Sequence, residues 1–410
     1  MPINKIRKDA PVAVAIVVPY IRQPRKSNFL LASWPVSDLA NGARTTGIGK
    51  FQRFRAAKKR ATRGAICHGT RLTMSIKLSI CIATRNRGGF IGETLESIAA
   101  QCTSAVEIVV LDGASSDNTE QVVRALQETV PTLRYFRQEK NGGVDRDYDA
   151  VVGLALGDYC WLMSDDDLLM HGAVDTVLRA IEHSYSLIVV NTEIRTFDFS
   201  ELIDGNRLNL FDDRIYSTSQ FAALFEDISG HLGYIGAVVI RRDLWEARAR
   251  EPYYGSYFIH VGVIFQMTLP HDTLVISQPL ISIRFGNTQW RPKEFEIRMI
   301  RWTELVSSLS AVPPSVRVHC YRSDPWRSVK SLMFYRAKGT YDLNDYRRWI
   351  KPRLASHWDR AKACAVACFP GPLANLIGLI YCSFEYHDSA IHYLDMKASR
   401  FFVRNWFRKA

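Results

Sequence analysis

From residue 78 onward, short apolar runs alternate with stretches of helical spacing. Leu78-Ser-Ile-Cys-Ile-Ala-Thr84 is compact and almost wholly apolar, the pattern of a buried strand. Ile91, Leu95, Ile98 and Ala99 then recur at helical spacing. Val106-Glu-Ile-Val-Val-Leu111 predicts a second strand that breaks at Asp112-Gly113, and Asp117-Asn-Thr-Glu120 resembles a capping box opening the next helix. Leu133-Arg-Tyr-Phe136 is a third, weaker strand. A helix over about Asp145 to Leu156 leads through Gly157 into Tyr159-Cys-Trp-Leu-Met163. A helix over 172–183 and the strand Leu187-Ile-Val-Val190 complete the unit. Elements alternating at this length predict a mostly parallel, doubly wound α/β sheet.

The later chain is less regular. Gly233 to Arg241 and Leu280-Ile-Ser-Ile283 read as strands, Tyr257 to Leu269 is apolar and aromatic, and residues 293–311 read as helical. Residues 363–384 carry no charge, but Pro370-Gly371-Pro372 interrupts them, which argues against one straight membrane-crossing helix. Two readings stay open: a broken helical hairpin in a membrane interface, anchored by aromatic and Arg residues at 401–408, or a buried helix pair.

Charge changes the picture at one end only. The formal charge is +12, yet residues 1–73 hold 15 Lys and Arg against 2 Asp and Glu, so the remainder nets −1. The basicity, including the patch at 50–63, therefore predicts a basic arm or start-site extension over 1–73 and no nucleic-acid partner. Eight cysteines without framework spacing fit a reducing cytoplasm. Three regions are expected: the 1–73 arm, an α/β domain over 74–290 split near 190, and a helical region over 291–410.

Each expected strand ends in polar groups on one rim, where open α/β sheets bind ligands. The first gives Thr84, Arg85, Asn86 and Arg87. The second gives Asp112, with Ser115, Ser116 and Asp117 behind it. The third loop gives Asn141, then Asp145, Arg146 and Asp147. The fourth gives Asp165, Asp166 and Asp167, three like charges that suit a divalent cation and a diphosphate. Neither a P-loop nor a dinucleotide glycine pattern is present.

Thr84-Arg-Asn-Arg87, Val110-Leu-Asp-Gly-Ala-Ser-Ser-Asp-Asn-Thr119, the Asn141-Gly-Gly loop and the acidic strand end resemble the nucleotide-sugar half of family 2 glycosyltransferases. Gly143-Val-Asp-Arg-Asp-Tyr148 with Tyr159 to Leu168 is most similar to the abequosyltransferase-type members. The resemblance implies a GT-A-type, Rossmann-like fold. It also implies transfer of a sugar, in those members a dideoxyhexose, from a nucleotide-diphosphate donor to a saccharide or lipid-linked saccharide during bacterial O-antigen assembly.

By the same resemblance Thr84, Arg85, Asn86, Arg87, Asp112, Asn141, Asp145, Arg146 and Asp165 bind the nucleotide sugar. Asp166, Asp167 and Asp165 hold Mg²⁺ or Mn²⁺, and a base completes a single inverting displacement. Two departures stand out. Ser164 occupies the position of the first acidic ligand, and His260 falls where the family carries its acidic base, as either a base or a structural residue. Arg284, Asn287 and Trp290 follow, to contact acceptor or only to close a loop. The competing reading is a non-catalytic nucleotide-sugar-binding scaffold. A lipid-linked acceptor implies a cytoplasmic protein with peripheral contact at the inner membrane face.

Overall fold

The structure, a computed structural model, describes residues 75–321, 324–384 and 386–403. The basic arm over 1–73, its patch at 50–63 and most of the expected anchor at 401–408 lie outside the described residues.

The first half follows the sequence pattern closely. β1 (Leu78–Thr84), α1 (Ile91–Ala99), β2 (Val106–Asp112), α2 (Thr119–Gln127), β3 (Leu133–Arg137), α3 (Val144–Leu154) and β4 (Tyr159–Met163) alternate along the chain. β1 pairs in parallel with β2 on one side and β4 on the other, and β3 extends the sheet beyond β2. β1, β2 and β4 are buried along their whole length, as expected for parallel strands covered on both faces. Gly157 is required at the entry to β4, because a Cβ there would lie 2.7 Å from the Ser79 backbone nitrogen.

Beyond β4 the sheet departs from the expected parallel order. The two-residue β5 (Leu168–Leu169) and α4 (Ala173–Ile181) precede β6 (Leu187–Arg195), which does not pair with β4. β9 (Val238–Arg241), reached after the short β7 (Leu202–Asp204), β8 (Arg214–Tyr216) and α5 (Phe221–Ile228), inserts between them antiparallel to both. The long β10 (Thr273–Arg284) pairs in parallel with β6 and antiparallel with β5. The sheet is therefore mixed: parallel from β3 to β4, with one antiparallel strand at its centre. Alternation of apolar runs does not encode direction, which is why the parallel reading carried too far.

Between β9 and β10 lie α6 (Arg242–Ala247) and α7 (Ile259–Phe265), and α7 is buried at every position. A π-helical stretch over Glu296–Arg301 leads into α8 (Trp302–Ser308), where helix was expected. The helical C-terminal region contains α9 (Pro314–Cys320), α10 (Val329–Lys338), α11 (His357–Cys368), α12 (Gly371–Phe384) and α13 (Tyr386–Lys397). The uncharged run covers the second half of α11 and all of α12, and the two helices are bent by 92° at the break containing Pro370. Phe295, Ile300, Leu332, Tyr341 and Ile350 form a separate apolar core there.

Candidate active site

Register brings the polar strand ends together. Thr84 and Asp112 are direct partners at the ends of β1 and β2, and Ile82 partners Met163 just before the acidic triplet. The loops that follow β1 and β2 are stitched to each other. Asn86, with φ 53°, donates its N–H to Ser115 Oγ (2.8 Å) and accepts from the Ser116 N–H at Oδ1 (2.8 Å). Ala114 holds φ 65°, a strained left-handed conformation for a residue with a Cβ. Asp112 is buried, accepting from the Ser115 N–H (2.7 Å) and from the Tyr135 hydroxyl (2.7 Å).

The acidic triplet is buried and its three members differ in role. Arg87, itself buried, sets Nε 3.3 Å from Asp165 Oδ1 and donates from Nη2 to Asp166 Oδ2 (3.3 Å). The Asn287 side-chain amide also donates to Asp166 Oδ2 (2.8 Å), while the Asn287 carbonyl accepts from Arg87. Asp167 faces elsewhere. Its Oδ2 accepts from the Ser164 hydroxyl (2.5 Å) and the Tyr234 hydroxyl (2.7 Å), and its Oδ1 accepts from the Arg284 N–H (2.8 Å).

Electrostatics separates the three in the same way. Burial pushes Asp165 up, opposed by Arg87 and the Thr84 hydroxyl. Burial and repulsion from Asp167 and Asp165 push Asp166 well above the usual carboxylate range, against Arg87. Asp167 is pushed up by burial to about 6, moderated by Ser164, Arg284 and Tyr234. A raised carboxylate is one short of positive charge or hydrogen bonds.

That shortage tests the fit of a divalent cation. Among the described residues no group of three or more His, Cys, Asp or Glu is set to hold one. Mg²⁺, however, is commonly held by one or two carboxylates together with substrate phosphates. Asp165 and Asp166 meet that smaller requirement, and Asp165 Oδ1 is buried without a hydrogen-bond partner. Asp167, the further ligand expected from the sequence, accepts from three donors at its two oxygens.

Arg284 joins β10 to this rim. Its Nε donates to the Asp166 carbonyl (3.0 Å) and its Nη1 to the Phe197 carbonyl (2.8 Å), while Nη2 pairs with Glu93. The guanidinium lies 4.3 Å from the Phe199 ring centre and 5.3 Å from that of Phe90.

Other expected site residues sit away from the carboxylate pair. Asn141 Oδ1 accepts from the Gly143 N–H (2.9 Å), bracing the Asn-Gly-Gly turn. Asp145 is buried and accepts the N–H groups of Gly255, Tyr257 and Ile259. It therefore clamps the loop before α7. Arg146 is exposed, its guanidinium 4.2 Å from the Tyr254 ring centre. Asp147 is buried and pushed up to about 7 by desolvation, with Gln138 and the Arg85 charge opposing.

His260 is not at the rim. It lies in the first turn of α7, wholly buried, with Nε2 2.7 Å from the Leu232 carbonyl oxygen. Burial lowers its pKa to about 3, so the imidazole is neutral and encased. Trp290 is also buried. The residues that sequence reasoning missed were Tyr135, Ser164 as a partner of Asp167, Tyr234 and Glu93. Tyr135, Tyr234 and Glu93 carry no local motif, because each reaches the site from another element, and the Ser164 contact depends on how the turn after β4 folds. Asn287 and Arg284 had been marked by their position after a strand.

The chain is similar to known proteins. The Glycosyl transferase family 2 model matches residues 79–244. The abequosyltransferase RfbV of Salmonella typhimurium is 27% identical over 229 residues, covering 53% of this chain and 69% of that protein. The GalNAc(5)-diNAcBac-PP-undecaprenol beta-1,3-glucosyltransferase of Campylobacter jejuni is 32% identical over 120 residues, 28% of this chain and 38% of that protein. Among solved structures, S. aureus TarS 1–349 with UDP aligns at a TM-score of 0.49 and 15% identity, over 82% of this chain and 92% of that one. The mannosyltransferase PcManGT from Pyrobaculum calidifontis, in complex with GDP-Man and Mn²⁺, aligns at 0.46 and 15%, over 88% and 96%. Residues 79–244 are therefore similar to glycosyl transferase family 2 domains.

Proposed function

We propose that the chain transfers a sugar from a nucleotide-diphosphate donor to a hydroxyl of a saccharide or lipid-linked saccharide, with inversion at the anomeric carbon. The observation that carries this reading is the buried Asp165–Asp166 pair held by Arg87, one strand from Asp112. Asp112, Thr84 and Asn86 line the nucleoside side, and Arg87 neutralises diphosphate charge. Asp165 and Asp166 would hold Mg²⁺ or Mn²⁺, which when bound stabilises negative charge on the departing nucleotide. The acceptor oxygen bonds to the anomeric carbon as the bond to the diphosphate oxygen breaks, and the hydroxyl proton passes to a base at the rim. His260, buried in α7, does not serve as that base.

The abequosyltransferase similarity supports a dideoxyhexose donor and a part in surface-polysaccharide synthesis. The name of the Campylobacter relative, which contains an undecaprenol-linked acceptor, supports a lipid-linked acceptor and peripheral contact at the inner face of the cytoplasmic membrane. The full chain, incubated with a panel of nucleotide sugars and Mn²⁺, is expected to release nucleotide from at least one. Release that survives Asp166→Ala contradicts the role of the pair. A second reading, a nucleotide-sugar-binding scaffold, is favoured by Ser164 and the saturated Asp167. It would show as nucleotide binding without release.

A further inference from the structure

α12 (Gly371–Phe384) contains no charged residue. One face is packed inward: Ala374, Asn375 and Cys382 are buried, and the Asn375 amide donates to the carbonyls of Ala337 (3.0 Å) and Met396 (2.9 Å). The other face shows Leu373, Leu376, Ile380 and Phe384 to solvent, with Phe384 86% exposed. Steps of three, four and four residues put these side chains on one stripe. Singly exposed apolar residues are ordinary, but a continuous stripe on an uncharged helix marks a contact surface. Trp358, on α11 across the 92° bend, is 78% exposed.

Charge identifies what covers the stripe. Residues 325–410 hold fifteen Lys and Arg against six Asp and Glu, a net +9, whereas residues 74–324 net −10. Cations stand at the N-terminal end of α12, whereas Lys330, near its other end, has a buried Nζ. The Arg336 and Arg400 guanidinium groups lie 5.1 and 5.0 Å from the Phe401 ring centre, and a Cβ on Gly371 would touch that ring. Lys330 Nζ lies 5.8 Å from the ring centre of Tyr381. A face this basic repels a second copy of itself and complements an anionic surface.

We propose that α12 lies in the plane of an anionic lipid surface, with Leu373, Leu376, Ile380 and Phe384 below the headgroups and the flanking cations against lipid phosphates. No single described helix is long and apolar enough to cross a membrane. Fourteen residues of α-helix span about 21 Å, short of the roughly 30 Å of hydrocarbon, so α12 by itself does not cross, and its one-sided apolar stripe suits an in-plane position. The inference names the face for the peripheral contact proposed above. Its test needs neither donor nor acceptor, so it fails separately from glycosyl transfer.

The test is flotation of the full chain with phosphatidylethanolamine–phosphatidylglycerol vesicles and with phosphatidylcholine vesicles. Binding to the anionic vesicles is expected, weakened about tenfold or more by the pair Leu376→Asp and Ile380→Asp. Lys362→Glu with Lys397→Glu is expected to weaken only anionic binding, by about fivefold per charge changed. All these side chains are exposed, and unchanged thermal melting certifies the fold. Equal flotation of the wild type and the Asp pair overturns the proposal, as does failure of the wild type to bind. A dimer in sedimentation velocity that the Asp pair dissolves also overturns it, assigning the stripe to a second copy.

Discussion

Residues 78–181 and residues 187–290 share one sheet but build the site in different ways. In the first stretch each functional group follows directly on the strand that positions it: Arg87 after β1, Asp112 at the end of β2, Asp165 and Asp166 after β4. In the second stretch the contributions arrive from far along the chain. Tyr234 reaches Asp167 across 67 residues, Arg284 across 117, and Asn287 reaches Asp166 across 121. The first stretch supplies the charges, and the second supplies donors that hold Asp166 and Asp167 in different ways.

The widest contrast lies between neighbours. Asp166→Ala is expected to reduce nucleotide release about a thousandfold or more, with little loss of fold, since it removes a repelled, electrostatically frustrated carboxylate. Steady-state release assays with a thermal melt check both halves. Asp167→Ala is expected to do the reverse in kind. It leaves the Ser164 and Tyr234 hydroxyls and the Arg284 N–H without their acceptor, at a cost of about 3 kcal/mol in urea denaturation. If both variants lose release equally while melting like the wild type, the division between ligand and pin is wrong.

His260 tests the second stretch alone. His260→Gln is expected to lower stability by about 1–2 kcal/mol through the Leu232 contact and the surrounding core. The pH profile of kcat should keep its shape. Loss of the acid limb in that profile, where rate falls as a base is protonated, would restore the imidazole as the base.

A smaller effect comes from Asp147, raised by burial to about 7 from 3.8. Between about pH 4 and 7 the folded state keeps a proton that the unfolded state has released. That carboxyl therefore subtracts stability as pH rises through the window. His231 and His260, both lowered to about 3, work in the opposite direction: below about 6.5 the unfolded chain takes up protons that the folded chain does not. The net slope mixes the two, so the informative quantity is a difference. Asp147→Asn should gain on the wild type by at least about 1 kcal/mol between pH 4 and 7, read from paired melts. A constant difference across that range argues against the buried, raised carboxyl.

Legibility in the sequence followed the same division. The parallel strands from β3 to β4 were readable because buried strands are continuous apolar runs with loops that break sharply at Asp or Gly. The insertion of β9 was not, since Val238-Val-Ile240 fits either direction and only the partner decides. Asp165 to Asp167 stood out as a triplet, yet nothing in three identical residues says which faces the rim. That depends on Tyr234, Arg284 and Asn287, whose reach is set by tertiary packing. The clamp formed by Asp145 was not legible for the same reason: its partners, backbone N–H groups within 255–259, carry no side-chain signature.

Donor binding with and without a divalent ion tests the central claim most directly. Thermal melts of the full chain would be recorded with UDP, GDP, CDP and dTDP, each in the presence and absence of Mn²⁺, for the wild type and Asp166→Asn. At least one nucleotide should raise the wild-type melting temperature with Mn²⁺ and raise it little without, and Asp166→Asn should lose that dependence. A shift that is the same with and without the ion, or unchanged in Asp166→Asn, would contradict the assignment of the Asp165–Asp166 pair as the diphosphate–cation grip.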